Sequence, residues 1–173
     1  PAAGTFTLPI AAGEYQGDFS LGTGANTRYG RLAAFDVRDY YPDWHGRDAR
    51  MHCSTSAPLA HDVTATGHPV LTLRFASSEP DAAIHVYLED VAPDGTTSYV
   101  TEGMLRALHR AEAPAPALEQ VVGPSRGFTR AAARPLVPGE AATLRVALLP
   151  TSWRFAAGHR IRLAIACADT DNF

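Results

Sequence analysis

The stretch Val70-Leu71-Thr72-Leu73-Arg74-Phe75 alternates apolar and polar side chains along most of its length. In an extended chain successive side chains point to opposite faces, so the two leucines and Phe75 would share one face, and Thr72 and Arg74 the other. A helix would instead repeat its apolar residues every three or four positions. The stretch therefore predicts a β-strand that places one face in a hydrophobic core.

The same alternation recurs later in the chain and is separated by turn residues. Apolar side chains share one face at Ile84, Val86 and Leu88, at Leu144, Val146 and Leu148, and at Ile161, Leu163, Ile165 and Cys167. Between these runs lie Pro93-Asp94-Gly95, Pro138-Gly139 and Ala157-Gly158-His159, which have the chemistry of tight turns. Helix is expected only in short pieces, such as residues 103–110. The pattern indicates an all-β sandwich or jelly roll. The side chains expected in its core are Leu73, Phe75, Val86, Leu88, Val146, Leu148, Leu163 and Ile165.

Two stretches lack a regular period. Residues 111–138 contain five prolines and are too long for an ordinary connection, so they are expected to cross between two sheets. Residues 17–44 are also irregular and end in an aromatic run. Within this stretch, the apolar side chains of residues 31–44 are not all explained by one sheet face, which leaves two interpretations: a cover over one open end of the sandwich, or an interface. The interface or pocket-lining candidates are Leu32, Phe35, Tyr40, Tyr41 and Trp44.

Length and composition indicate one globular domain over residues 1–173. The chain has 46% hydrophobic and 19% charged residues, and its formal net charge is −3. No apolar run approaches the ~20 residues of a membrane-spanning helix, and no basic stripe suggests nucleic-acid binding. The sequence does not fix the compartment, although a cytoplasmic location is favoured. Because it ends at Phe173 directly after a strong strand pattern, we expect a piece of a longer polypeptide.

One motif resembles a catalytic site. Gly123-Pro124-Ser125-Arg126-Gly127 matches G-x-S-x-G, and Glu140 and His159 follow in the Ser–acid–His order of α/β-hydrolases. In those enzymes the serine lies on a sharp turn between a strand and a helix. Here seven residues separate Gly127 from Pro135, and no β-α-β alternation surrounds the motif. We therefore expect a surface loop and predict no catalytic residues in this chain.

Metal, cofactor and disulfide signals are weak. The seven histidines form no H-x-H or H-E-x-x-H cluster, so no cofactor and no metal site are predicted. The pairs Asp169 with Asp171 and Glu89 with Asp90 leave calcium as a minor alternative. Cys53 and Cys167 are expected to be small core residues, with a disulfide as the alternative if their strands are neighbours.

Four segments in order resemble the C-terminal, non-catalytic domain of the cocaine esterase (CocE/NonD) and X-Pro dipeptidyl-peptidase hydrolases. They are residues 53–59 (CSTSAPL) with 63–67 (VTATG); 86–91 (VYLEDV) with 93–95 (PDG); 101–106 (TEGMLR); and 149–153 (LPTSW) with Phe155 and 158–162 (GHRIR). The resemblance covers the chain from about Gly22 to its end. It implies a jelly-roll β-sandwich of the galactose-binding-like type, which in the family continues past a motif similar to residues 168–173 to at least one further strand. This chain would then lack its last strand.

The resemblance also implies a function. In the family this domain packs against an N-terminal α/β-hydrolase domain that carries the catalytic serine, aspartate and histidine, so none of those residues can be assigned here. The expected role is that of an accessory domain of a serine hydrolase acting on esters or amides, which caps the catalytic domain and helps to wall its pocket. A role of this domain in homo-oligomer contacts is left as a further possibility.

A second function belongs to another class. The same sandwich class includes freestanding carbohydrate-binding modules. Sugar binding would need exposed aromatic side chains beside a groove, and Tyr40, Tyr41 and Trp44 are the candidates for that role.

Overall fold

The computed structural model describes residues 12–24, 27–28, 40–115 and 123–172. These residues form strands β1 (His52–Thr55), β2 (Val63–Gly67), β3 (Val70–Phe75), β4 (Ala83–Val91), β5 (Thr97–Arg106), β6 (Ala142–Ala147), β7 (Thr151–Phe155) and β8 (Arg160–Ala166). Short 3-10 turns occur at Arg47–Arg50, Ala107–His109 and Arg130–Ala132.

The strands form two layers around one main core. One layer is a four-stranded sheet in the order β1-β8-β4-β5, and the other contains the ribbons β2-β7 and β3-β6. All of these pairings are antiparallel. The main core includes Leu71, Ile84, Val86, Val100, Leu144, Val146, Phe155 and Leu163, which come from both layers. The predicted all-β sandwich is confirmed.

The faces assigned from the alternation are confirmed. Of the expected core residues, Val86, Leu88, Val146, Leu148, Leu163 and Ile165 are buried. Leu73 and Phe75 pack against the same core but remain partly exposed. Strand β4 departs from the expectation, because the polar side chains on its other face are buried as well. The four-stranded sheet is therefore covered on both faces.

The predicted turns are present and depend on left-handed glycines. Between β4 and β5 the Ala92 amide donates to the Thr96 carbonyl at 2.9 Å, and Gly95 has φ +89°. Gly139 and Gly158 take φ +79° and +82° before β6 and β8. Side chains with a Cβ rarely adopt this backbone conformation, which explains the glycine at each turn.

The expected short helix at residues 103–110 is wrong for its first half. Strand β5 continues to Arg106 because Gly103, Met104 and Leu105 pair with β4, and only Ala107–His109 form a 3-10 turn. The segment that follows leads from the four-stranded sheet to β6 in the other layer, which confirms the predicted crossing. Residues 116–122 of that segment lie outside the described residues.

Two of the sequence motifs meet where β6 passes into β7. A Cβ at Gly103 would lie 2.3 Å from the carbonyl oxygen of Ala147, so only glycine fits this approach. The Thr101 hydroxyl donates to the Leu149 carbonyl at 2.7 Å, and the Leu149 amide donates to the Glu102 carbonyl at 2.7 Å. The TEGMLR and LPTSW segments thus lock the two layers together.

Candidate functional site

The aromatic run at residues 40–44 covers the outer face of the four-stranded sheet. Tyr41 and Trp44 are each 2% exposed and pack in a second cluster with Tyr87 and Tyr99. The ring centroids of Tyr41 and Tyr99 lie 4.6 Å apart, and those of Trp44 and Tyr87 lie 5.0 Å apart. Tyr41 and Trp44 are therefore buried within the domain, and their interface or pocket-lining role stays a prediction. Tyr40 is partly exposed at the edge of this cluster.

Small residues on β8 make room for these rings. Ala164 and Ala166 alternate with core-facing Leu163 and Ile165, and both alanines are fully buried under the outer cluster. This alternation was visible in the sequence and was the available signal that a second layer covers the sheet. Leu32 and Phe35, the other two interface candidates, lie outside the described residues.

A β-bulge brings Glu102 into the outer cluster. The register of β4 with β5 shifts between Leu88 and Glu89, so Tyr99 and Glu102 fall on the same face. The Tyr41 hydroxyl donates to Glu102 Oε2 at 3.0 Å, and the Tyr99 hydroxyl donates to Oε1 at 3.2 Å. Burial raises the pKa of Glu102 to about 7, although these hydrogen bonds oppose the rise.

Glu89 is a second buried carboxyl beneath the same layer. It is fully buried, and its Oε1 accepts the Trp44 indole N–H at 2.9 Å. Its Oε2 has no hydrogen-bond partner and lies 3.9 Å from Nε of Arg162, whose guanidinium is paired with buried Asp48. Burial and then the Asp48 charge raise the pKa of Glu89 to about 8. Because burial disfavours its charged form, Glu89 holds its proton to a higher pH than an exposed glutamate does.

Asp169 and Asp171 connect residues 21–24 to the last part of the described chain. Its carboxylate accepts the Thr23 hydroxyl at 2.6 Å and the Tyr87 hydroxyl at 2.7 Å. Asp171 Oδ2 accepts the Gly24 amide at 2.7 Å. Burial opposes the charge of Asp169, but the hydrogen bonds outweigh it and hold its pKa below the ordinary value. Residues 21–24 are thereby tied to residues 169–171.

A cavity opens beside the covering layer. It has a volume of about 490 Å³ and is lined by residues 40–45 and 96–99. The Arg28 guanidinium lies 5.6 Å from the centroid of the Tyr40 ring, and His45 Nδ1 accepts the Thr97 amide at 3.1 Å. The lining includes Tyr40, Tyr41 and Trp44, and of these three only Tyr40 is partly exposed.

The G-x-S-x-G motif lies on a loop, as expected. Described residues 123–129 contain neither strand nor helix, and the Ser125 carbonyl accepts the Ala113 amide at 2.8 Å. His159 Nδ1 lies 2.8 Å from an Asp90 carboxylate oxygen, while the other oxygen accepts the Trp153 indole N–H at 3.0 Å. His159 thus belongs to the junction of the VYLEDV, LPTSW and GHRIR segments, not to a triad with Ser125.

The structure shows where the residues of the calcium alternative lie. No cluster of three or more metal-binding side chains occurs in the described part of the chain. Glu89 faces the outer layer, whereas Asp90 contacts Trp153 and His159 on the other side of β4.

Both cysteines are free thiols. Cys53 is exposed, which corrects its assignment to the core, and it pairs with outer-facing Ala164. Cys167 is partly buried against the main core on the opposite face of the sheet.

The fold and these sites define a β-sandwich domain in which the buried carboxyl groups of Glu89, Glu102 and Asp169 bind side chains of the same domain. Residues 14–173 match the family model for the X-Pro dipeptidyl-peptidase C-terminal non-catalytic domain. The chain belongs to this family. No helix among the described residues has the length and apolar character needed to cross a membrane.

Two curated relatives are similar over most of the chain. Candidate serine esterases of Mycobacterium bovis and Mycobacterium tuberculosis are each 46% identical to it over 162 residues. The alignment covers 94% of this chain but 26% of each relative, so the chain spans about a quarter of their length.

Solved structures share the fold at low sequence identity. A CocE/NonD family hydrolase from Staphylococcus aureus has a TM-score of 0.62 at 15% identity, covering 70% of this chain and 23% of that one. An aminopeptidase from a marine sediment thaumarchaeote has a TM-score of 0.61 at 19% identity, covering 95% and 28% of the two chains. An α-amino acid ester hydrolase gives 0.60 at 19% identity, covering 81% and 23%.

Proposed function

We propose that this chain is the C-terminal accessory domain of a serine hydrolase that cleaves ester or amide bonds. In the full-length protein it packs on an N-terminal α/β-hydrolase domain and helps to shape the substrate pocket. The observation that carries this proposal is the match of residues 14–173 to a domain described as C-terminal and non-catalytic. The similarity to much longer candidate serine esterases supports the same role.

The cavity beside Tyr40 is the part of the domain best suited to line a pocket. Its floor is held rigidly, because Tyr41 and Trp44 are fixed by hydrogen bonds to Glu102 and Glu89. Its rim presents the partly exposed Tyr40 ring, stacked against Arg28. A floor fixed by hydrogen bonds and a partly exposed aromatic rim can position an apolar group without large rearrangement.

The test uses kinetics of the full-length enzyme. Tyr40→Ala should change kcat/KM for a p-nitrophenyl ester by about tenfold, the effect of losing about 1.4 kcal/mol of contact energy. The matched control is Phe128→Ala, since Phe128 is 66% exposed on the crossing segment away from the cavity lining. Both variants should leave the melting temperature of the isolated domain nearly unchanged. Equal kinetics for Tyr40→Ala and wild type would refute the pocket-shaping role.

The alternative of a carbohydrate-binding module is not supported by the aromatic residues. A sugar platform needs exposed rings, whereas Tyr41 and Trp44 are each 2% exposed. We therefore advance only the accessory-domain function.

A further inference from the structure

The two described parts of the crossing segment, residues 109–115 and 123–137, lie side by side on one surface of the domain. Backbone hydrogen bonds of 2.8 Å and 2.9 Å hold them there, and these run from the Ala113 amide to the Ser125 carbonyl and from the Arg134 amide to the Leu108 carbonyl. We call these two parts together the crossing surface.

The crossing surface is basic, although the whole chain has a formal net charge of −3. Its only acidic residue, Glu112, is paired with the Arg145 guanidinium at 2.9 Å. Its positive charge comes from arginines that are spread along the sequence, so no basic stripe is visible until the fold brings them together. These arginines are Arg110, Arg126, Arg130 and Arg134.

The charge of these four arginines is not neutralised. Within the described part of the chain, none of the four forms an ion pair with a carboxylate. Arg130 is exposed, and the other three guanidinium groups donate to backbone carbonyl oxygens, which carry no formal charge. Arginines elsewhere do pair with aspartates, as Arg50 does with Asp18. The crossing surface therefore presents a positive field to solvent.

An exposed aromatic ring lies among these charges. Phe128 is 66% exposed, and Val137 on the same surface is 55% exposed. The backbone of Phe128 has φ +47°, a left-handed conformation that residues with a bulky side chain rarely adopt. One side of the ring rests on His109, with the two ring centroids 5.5 Å apart. A backbone held in this conformation, with an apolar side chain left in solvent, indicates a functional constraint.

An anionic membrane matches this combination better than a protein or a nucleic acid does. Guanidinium groups form paired hydrogen bonds with phosphate, and each basic residue near an anionic bilayer strengthens binding about fivefold. An aromatic ring can enter the boundary between headgroups and acyl chains.

The other two classes of partner need features that the crossing surface lacks. A specific protein contact buries about 800 Å² on each partner around an apolar centre, whereas Phe128 and Val137 are the large hydrophobic side chains exposed here. Single-stranded nucleic acid stacks on several rings along a groove. The two described parts contain one aromatic side chain besides His109.

We propose that the crossing surface binds anionic phospholipid membranes. Its four arginines contact headgroup phosphates, and Phe128 enters the interfacial region of the bilayer. The site uses none of the residues that line the cavity beside Tyr40, so it does not depend on the proposed hydrolase function.

Co-sedimentation of the purified chain with phospholipid vesicles tests the proposal. The chain should bind vesicles of phosphatidylcholine that contain about one-third phosphatidylglycerol, and it should not bind pure phosphatidylcholine vesicles. Raising NaCl from about 0.1 M to about 1 M should release it, because the Debye length falls from about 10 Å to about 3 Å.

Two arginine variants with the same change of charge locate the site. Arg130→Glu should weaken vesicle binding about 25-fold, because it removes one positive charge and adds a negative one. Arg160→Glu is the matched control and should bind like the wild type. Arg160 is also exposed, but it pairs with Val91 at the end of β4 far from Ala82, where the crossing segment begins.

Phe128 variants test insertion of the ring. Phe128→Ala should weaken binding about tenfold through lost apolar burial, while Phe19→Ala, at a site that is 78% exposed outside the crossing surface, should not. The fluorescence of Phe128→Trp should shift to shorter wavelength when anionic vesicles are added. All of these variants should keep the wild-type melting temperature, which separates lost binding from unfolding.

Every other outcome would overturn the proposal. Equal binding to neutral vesicles, or no binding to either kind, would exclude an anionic membrane site. Equal losses in Arg130→Glu and Arg160→Glu would show that only the net charge of the chain matters. Displacement from vesicles by an equal concentration of single-stranded DNA would indicate a nucleic-acid site. Binding by this chain that is absent from the full-length protein would show that another part of the polypeptide covers the crossing surface.

Discussion

Glu89→Gln should remove a specific part of the pH dependence of folding. Glutamine has nearly the same shape and keeps an oxygen to accept the Trp44 indole N–H, which now lies 2.9 Å from Oε1. It has no titratable proton. The variant therefore separates the ionisation of this fully buried side chain from its packing.

The sign and size of the effect follow from the raised pKa. In the unfolded chain Glu89 titrates near 4.5, whereas in the fold its pKa is about 8. Between these values the folded state holds a proton that the unfolded state releases, so the free energy of unfolding falls as pH rises. The full difference corresponds to roughly 3–5 kcal/mol. Glu102, with a pKa of about 7, adds a fall that is largely complete by pH 7.

Urea denaturation at pH 7.0 and 8.5 measures how the ionisation of Glu89 changes the free energy of unfolding. The two pH values lie on either side of its pKa of about 8. The wild-type chain should lose about 1–1.5 kcal/mol of unfolding free energy over this interval, and Glu89→Gln should lose little. Glu140→Gln is the matched control, because Glu140 is exposed and should keep the wild-type slope. An unchanged slope in Glu89→Gln would refute the buried, proton-holding carboxyl.

Two further predictions concern the packing of the two layers. Leu88→Ala should lower the free energy of unfolding by about 2–5 kcal/mol, because Leu88 is buried in the main core. Thr72→Ala, on the exposed face of β3, should lower it by less than about 1 kcal/mol. Similar losses for the two variants in thermal melts would contradict the face assignment. Asp169→Asn should cost about 1.5–3 kcal/mol at neutral pH by weakening the hydrogen bonds from Thr23 and Tyr87. That loss should shrink as pH falls through the lowered pKa of Asp169, and the exposed-site control Asp94→Asn should show a smaller change in urea denaturation.

The inner faces of the sandwich could be predicted because their burial leaves a simple period. Leu163 and Ile165 on β8 alternate with alanines, and Val86 and Leu88 on β4 alternate with polar residues. Turn glycines such as Gly95 could also be predicted, because the required backbone conformation restricts the residue type. These signals depend on residues that are close together in the chain, so they can be recognised from the sequence alone.

The sequence signals the outer layer only through the small residues Ala164 and Ala166, and its composition could not be predicted because its burial depends on pairs distant in sequence. Tyr87 and Glu89 are polar and suggested a solvent face, yet Asp169 and Trp44 satisfy their hydrogen bonds from far along the chain. The burial of Tyr41 likewise depends on a distant partner, because its hydroxyl donates to Glu102. A segment without regular secondary structure shows no repeat of apolar side chains. Its contacts with residues distant in sequence decide whether its aromatic side chains are exposed.

The hydrolysis of a p-nitrophenyl ester by the purified chain tests the central claim most directly. A non-catalytic accessory domain should show no turnover above buffer, because it lacks an assembled nucleophile, base and oxyanion site. Ser125 belongs to the loop whose carbonyl accepts the Ala113 amide, and it should have no role. Turnover by the wild-type chain that disappears in Ser125→Ala would contradict the account and make the G-x-S-x-G loop a catalytic site.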